Sequence, residues 1–423
     1  MTEWLTIGIA LGLAILLLAQ VPAAVSFLRA LRRRAAPVAD DDLPQATVVL
    51  CLRGADDTLK SCLDGLSTQN YPRYNVVVVV DHADDPAWNM ALELVEHLGQ
   101  RRVRLEVLHQ RRESCSLKCS SLVQAISGLD DSSRVIALLD ADTVPHANWL
   151  RELVAPLATP GVGAAAGVRW YMPSRPEWGA IIRYLWNVPA IVFMYEYGIA
   201  WGGTLAFRRE AFAQASLLEK WSLAYCEDTM THAALKSAGL RLVYVPTLVT
   251  VHRDSCRLNG FFEWCVRQTL TSRLYHPAWW LIVVHGLLTT LAWIVPIGLA
   301  IWAAMTDRWL LASGACCALV AYWVVQWLAL LVLERSVQRV VARRGEVVGW
   351  LSPLVLWHLF LGVPIAQQIY GAVLLATWQV RRVRWRGIWY DIYGPWNVRR
   401  GEYVPYSSMQ NRDSEVRHPK TDV

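Results

Sequence analysis

Charge-free stretches bracket one long region of mixed composition. Residues 4–28 (WLTIGIALGLAILLLAQVPAAVSFL) carry no charged side chain, which is long enough to cross a hydrocarbon core of about 30 Å. Three further apolar blocks fall at 278–304, 308–333 and 350–377. Between them the pattern shortens to the lengths of strands and ordinary helices. Gln45–Arg53 (QATVVLCLR) is a β-branched run of strand length, and a helix is predicted around Leu59–Thr68, with a turn at Asn70-Tyr71-Pro72. Asn75–Val80 (NVVVVV) is apolar at every position after the first, as expected of a parallel strand covered on both faces. A helix at 87–98, a strand at 103–108, a helix at 117–128 and a strand at Arg134–Leu139 continue the alternation. The pattern predicts an α/β domain with an open, mostly parallel sheet and helices on both sides. Ligands of such sheets bind beyond the carboxyl ends of the strands.

Composition changes the picture in one respect. The 423 residues are 54% hydrophobic and only 18% charged, against about 25% charged in ordinary soluble domains. That excludes both a plain soluble enzyme and a disordered chain. The net charge of +6 is mostly arginine, gathered in RALRRR (29–34), RRGEV (343–347) and QVRRVRWRG (379–387). These read as positive flanks of membrane segments and not as a nucleic-acid surface. Arg29, Arg32, Arg33 and Arg34 place the central region in the cytoplasm, and Glu3 with the long apolar stretch favours an uncleaved anchor over a signal peptide. The expected organisation is an anchor (1–34), a cytoplasmic domain (35–277), a membrane region (278–378) and an Arg/Trp-rich tail (379–423) whose end, from Ser407, is disordered.

Two segments leave alternatives open. Thr306-Asp307-Arg308 suits a tight hairpin, and Arg335, Arg339, Arg343 and Arg344 put the next loop in the cytoplasm. Pro353, Pro364, Gln367 and Gln368 interrupt the last block, so it either crosses once or re-enters as a hairpin, a cytoplasmic tail being favoured. Residues 178–201 are apolar but hold Arg183, Asn187, Pro189 and Glu196. A crossing there would divide the candidate site residues, so the segment reads as an interfacial helix, with a buried core helix as the alternative. The nine cysteines are odd in number and lack a CxxC pair, Cys115 and Cys119 being the only close spacing in a polar region. Reduced cytosolic thiols fit better than zinc or disulfides.

Candidate chemistry sits at two strand ends. Asp81, Asp84 and Asp85 follow NVVVVV, and Asp140-Ala141-Asp142 follows VIALL. Two carboxylates two residues apart can share Mg²⁺ or Mn²⁺ with the oxygens of a diphosphate; a plain Asp-rich turn is the alternative. Lys118 stands where a phosphate-facing helix would start. Cys226-Glu227-Asp228 opens a helical stretch at about 228–238 that closes at Gly239. Asp228 is there either a helix N-cap or a general base beside a sugar.

These residues together resemble the family 2-type membrane glycosyltransferases, most closely ceramide glucosyltransferase and its bacterial relatives. The similarity spans nearly the whole chain and implies a GT-A nucleotide-sugar domain between membrane segments. Asp81-His82-Ala83-Asp84-Asp85-Pro86-Ala87 is similar to the family's early DHDDPA-like stretch, which implies a donor-binding role for Asp85, with Asp81 close behind. Ser116-Leu117-Lys118-Cys119-Ser120 matches a short Lys-containing stretch before a helix. The resemblance implies that Asp140 and Asp142 hold the metal and diphosphate, and that Glu227-Asp228 supplies the catalytic base. Gly202-Gly203-Thr204 is similar to the acceptor-side glycine turn. Where the family carries (Q/R)xxRW, this chain reads Trp264-Cys265-Val266-Arg267-Gln268, so only Arg267 is kept, with Arg273 as a second candidate for the leaving diphosphate. Trp385-Arg386-Gly387, followed by Tyr390, is similar to the ending of ceramide glucosyltransferases; an interfacial anchor is the alternative.

The implied reaction is an inverting transfer of a hexose, glucose foremost, from a UDP-sugar to a lipid hydroxyl in the bilayer. A polysaccharide synthase and an inactive nucleotide-sugar-binding membrane protein are the rival readings. A polymerase of this family keeps an intact QxxRW and more helices, and a dead site has no need of Asp85, Asp140, Asp142 and Asp228 together.

Overall fold

The computed structural model describes residues 2–33, 38–346, 349 and 351–409. Arg34 and the polar end of the chain from residue 410 lie outside the described residues. Among those described, the chain forms thirteen α-helices and ten strands. Helix α1 (Thr2–Ala30) leads into β1 (Ala46–Leu52), α2 (Leu59–Ser67), β2 (Tyr74–Val80), α3 (Pro86–Leu98), β3 (Val103–Val107), α4 (Leu117–Ser127) and β4 (Val135–Leu139). The domain continues through α5 (Trp149–Val154), β5 (Val162–Tyr171), α6 (Trp178–Tyr197), β6 (Thr204–Arg208), α7 (Arg209–Gln214), α8 (Leu217–Trp221), α9 (Thr231–Ser237), β7 (Arg241–His252) and α10 (Leu258–Tyr275). Then come α11 (Trp279–Met305), α12 (Trp309–Ala342), α13 (Pro353–Gln379), β8 (Arg382–Trp385), β9 (Ile388–Gly394) and β10 (Asn397–Arg400).

Seven strands form one sheet in the order β3-β2-β1-β4-β6-β5-β7. Strands β1 to β4 are mutually parallel and β6 is the antiparallel member, between β4 and β5. The valine run of β2 shows why it needs no polar alternation. Val77 and Val79 enter one hydrophobic core, while Val76, Val78 and Val80 enter the core on the opposite face. Register then brings the site together. Leu52 pairs with Val80, so Arg53 and Asp81 follow side by side. Leu139 pairs with Thr204, so Asp140 emerges beside Gly203 at the start of the antiparallel strand. Strand order reverses between β1 and β4, which opens the crevice at their carboxyl ends.

Helices α1, α11, α12 and α13 are, among the described residues, the four long and apolar enough to cross a membrane. The helix expected at 178–201 is α6, and it is largely covered: Ile181, Ile182, Leu185, Val188 and Ile191 join a core shared with α1, α12 and α13. Two of its polar residues face the domain, Arg183 pairing with Asp254 at 2.6 Å and Asn187 donating to the Arg169 carbonyl at 3.1 Å, while Glu196 is exposed. The helix is thus buried between the α/β domain and the apolar helices α1, α12 and α13.

Helix α13 is continuous, so the re-entrant hairpin is not formed. Proline in a helix leaves the carbonyl four residues earlier without its donor, and here the Trp323 indole donates to the Phe360 carbonyl at 2.6 Å in place of the missing Pro364 N–H. The chain approaches α13 from the α/β domain and returns to it. Before the helix, Arg344 donates to the Val249 carbonyl at 2.8 Å. After it, Arg273 donates to the carbonyls of Thr377, Trp378 (2.8 Å) and Val380 (2.9 Å).

The Arg/Trp-rich tail, for which an interfacial anchor was the alternative to a site role, is a three-stranded antiparallel sheet in the order β10-β9-β8. Val383, Ile388, Tyr390, Ile392 and Val398 turn into the core shared with β2, α4 and β6.

Candidate active site

The crevice is lined first by groups that the sheet register delivers. Lys118, in the first turn of α4, bridges Asp140 Oδ1 and Glu227 Oε1, each at 2.5 Å from Nζ. Burial works against its positive charge, but Asp140, Glu227 and Asp228 together hold the ammonium well above its ordinary pKa. One ammonium cannot offset three carboxylates, so the surplus falls on the most buried of them. Burial, with Asp228 and Asp140 adding to it and Lys118 opposing, pushes the Glu227 carboxyl up to about 7.

Asp228 is not a helix cap. Helix α9 starts at Thr231, and the Asp228 carboxylate accepts from the Gly202 N–H at 2.9 Å through Oδ2 and from the Thr229 N–H (2.6 Å) and hydroxyl (2.9 Å) through Oδ1. These donors fix its orientation at the crevice. The glycine pair Gly202-Gly203 is needed for closeness: a Cβ on Gly202 would lie 1.9 Å from Glu227 Oε1, and one on Gly203 would lie 2.9 Å from Asp140 Oδ2.

The two early aspartates divide. Asp85 is the N-cap of α3, ahead of Pro86, and its oxygens accept from Gly54 N–H (3.0 and 2.9 Å) and Ala87 N–H (2.9 Å). Its carboxylate therefore holds the β1–α2 turn against α3, and burial raises its pKa. Asp81 is the one that faces the crevice. It pairs with Arg53 and accepts from the Tyr403 hydroxyl at 3.1 Å, while its buried Oδ1 has no hydrogen-bond partner. Arg111 lies over the Tyr403 ring at 4.3 Å.

The C-terminal sheet closes this side. Arg386 forms a two-pronged pair with Asp56 (2.7 Å for Nη1), and Arg53 Nε donates to the Arg386 carbonyl at 2.9 Å. Trp385 lies under the Arg267 guanidinium at 5.0 Å and against the edge of Tyr225 at 5.8 Å. Arg273 is placed elsewhere, its donors committed to the end of α13. Arg53, Asp56, Arg111, Tyr403 and Arg169 belong to the site neighbourhood but were missed in the sequence. Only Arg53 had a local signal, as the last residue of a predicted strand.

Could the residues present hold a divalent cation? Among the described residues no group of three or more His, Cys, Asp or Glu is arranged to hold one unaided. Asp142 nevertheless keeps a buried Oδ1 without a hydrogen-bond partner, two residues from Asp140. That donor set fits a hard cation that takes its remaining oxygens from a diphosphate. The nine cysteines are free thiols.

Beside Asp228 a cavity of about 560 Å³ runs in among the apolar helices. Leu17 of α1, Ile191 of α6, Ile282 of α11, Leu330 of α12 and Val363 of α13 line it, and Asp228, Arg169 and Gln268 line it as well.

Comparison with known proteins identifies the family. The family described as Glycosyltransferase like family 2 matches residues 44–271. Glycosyltransferase AglE of Haloferax volcanii is 26% identical over 128 residues, which is 30% of this chain and 39% of that protein. Among solved structures, the mannosyltransferase PcManGT from Pyrobaculum calidifontis in complex with GDP-Man and Mn²⁺ is 18% identical with a TM-score of 0.46, covering 88% of this chain and 99% of its own. Glucosyl-3-phosphoglycerate synthase from Mycobacterium tuberculosis, in complex with Mn²⁺, UDP-glucose and phosphoglyceric acid, is 16% identical with a TM-score of 0.35, covering 52% and 75%.

Proposed function

This chain belongs to the glycosyltransferase family 2-like proteins, and from that premise we propose that its GT-A domain moves a hexose, glucose foremost, from a UDP-sugar to the hydroxyl of a ceramide-like membrane lipid, with inversion. The observation that carries the lipid acceptor is the apolar cavity of about 560 Å³ that Asp228 helps to line. A water-soluble acceptor has no use for walls contributed by five apolar helices. A growing polysaccharide would need a polar channel there. Asp81, set among Arg53, Arg111 and Tyr403, receives the nucleoside.

A hydroxyl is a weak nucleophile at neutral pH, so a positioned carboxylate must take its proton as the new bond forms. Asp228, oriented by Gly202 and Thr229, does this. General-base assistance of this kind contributes about 10²–10⁴-fold. Asp140 and Asp142 would hold Mg²⁺ or Mn²⁺, which when bound neutralises diphosphate charge. Lys118 stands at the same carboxylates, and Arg267, backed by Trp385, supplies a fixed guanidinium to the leaving diphosphate.

The arginines that flank α1 and α12 support a cytoplasmic domain. The chain on either side of α13 is tied to that domain, Arg344 to the Val249 carbonyl and the Val380 carbonyl to Arg273, which favours a C-terminal tail on the same side as the domain. Nucleoside diphosphate release from purified protein in lipid nanodiscs tests the assignment. UDP-glucose should turn over only when a hydroxyl-bearing lipid is present. Turnover that depends on a soluble sugar or polymer, and not on lipid, would refute it.

A further inference from the structure

We propose that Arg169 positions the acceptor lipid by donating hydrogen bonds to a neutral carbonyl or hydroxyl oxygen next to the reacting hydroxyl; this rests on the lipid-acceptor reading above. Arg169 lies on β5, half-buried, with its carbonyl pinned by the Asn187 side chain at 3.1 Å. Its guanidinium carbon stands 5.2 Å from the ring of Tyr171, 5.0 Å from Trp201 and 5.1 Å from Trp264. Among the described residues, none of its N–H donors meets a hydrogen-bond or ion-pair partner. Other arginines of the domain are committed: Arg53 to Asp81, Arg183 to Asp254, Arg344 to Glu152.

Arg169 lines the lipid cavity together with Asp228, whereas Lys118, Asp140, Asp142 and Arg267 do not. It therefore belongs to the acceptor wall and not to the diphosphate wall. Three aromatic faces offset its charge without consuming a single donor. A guanidinium so held does not require an anion. The carboxylate of Asp228 in the same cavity disfavours one, since a phosphate placed there would meet like charge. The matching ligand atom is an uncharged oxygen, such as an amide or ester carbonyl beside the nucleophilic hydroxyl.

The altered stretch at 264–268 fits this assignment. Trp264, standing where relatives carry a polar residue, forms one wall of the aromatic box. Gln268, standing where they carry an aromatic one, faces the cavity. Both departures change the acceptor side and leave Arg267 on the diphosphate side.

The test compares the full-length protein with Arg169→Met and Arg169→Lys in nanodiscs, using UDP-glucose and three acceptors. These are an N-acyl amino alcohol, a long-chain alcohol without a carbonyl, and a lipid monophosphate. A hydrogen bond from a charged donor predicts that Arg169→Met raises KM for the amide lipid by about ten-fold or more. KM for UDP-glucose should stay unchanged, and the preference for the amide lipid over the plain alcohol should collapse. Arg169→Lys keeps the charge but loses the forked donors, so it should move in the same direction to a smaller extent and guards against a folding defect in the methionine variant. An unchanged preference, or a parallel rise in donor KM, overturns the assignment while leaving lipid transfer intact. So does a lipid monophosphate that is the better wild-type acceptor. If the wild type glycosylates no lipid, both readings fall together.

Discussion

Trp385 and Arg267 come from segments more than a hundred residues apart, yet the structure makes them one unit. The guanidinium carbon of Arg267 stands 5.0 Å from the Trp385 ring. A cation–π contact is worth about 0.5 kcal/mol when exposed and about 2 kcal/mol when desolvated, and both residues here are half-buried. If that contact aims Arg267 at the leaving diphosphate, Trp385→Leu should lower kcat/KM for the donor by about 2- to 30-fold, taking 1.36 kcal/mol per decade. Leucine keeps apolar contact with Tyr225, so the core beneath β8 stays filled. The assay is nucleoside diphosphate release at saturating lipid and varied donor, on Trp385→Leu, Arg267→Lys and the double variant. The double variant should be little worse than the more damaged single variant, a coupling of about 0.5–2 kcal/mol. Effects that simply add, within about 0.5 kcal/mol, would show that the two residues act separately and would refute the reasoning.

Three further outcomes are expected. Asp228→Asn should lower kcat by about 10²–10⁴-fold with donor affinity retained, measured by turnover and by titration with UDP. Glu227 is held near 7 against an ordinary 4.5, so its contribution to stability is full below 4.5 and is lost as pH rises through about 7; the thermal midpoint should fall across that window, and Glu227→Gln should flatten the slope. Glu334 accepts from the Trp170 indole and the Tyr184 hydroxyl, both at 2.8 Å, in a buried joint between α12 and the domain. Glu334→Leu strands both donors at about 1–3 kcal/mol each, so its thermal midpoint should fall well below that of Glu334→Gln, which keeps an acceptor oxygen.

What could be read from the chain alone was local in origin. Strands β1 to β4 and the helices between them were legible because each buries a short, regular pattern, and the Asp140–Asp142 pair because it ends one such strand. Asp85-Pro86 is a helix cap followed by proline at the first position, a local signal that the donor-binding reading of Asp85 passed over. The pairs that close the site were not legible, since Arg386 reaches Asp56 across 330 positions and Tyr403 reaches Asp81 across 322. The C-terminal sheet had a visible period of two in Ile388, Tyr390 and Ile392, masked by Trp389 between them and by the Arg-rich stretch just before. The apparent break at Pro364 was misleading because its compensating donor, Trp323, lies on another helix.

Mass spectrometry of lipids extracted after incubating the full-length protein in nanodiscs with isotope-labelled UDP-glucose, a divalent cation and an N-acyl amino alcohol addresses the proposal most directly. A labelled hexosyl lipid that forms with the wild type and disappears with Asp228→Asn is the predicted result. Label found only in free glucose or in a water-soluble polymer would contradict it.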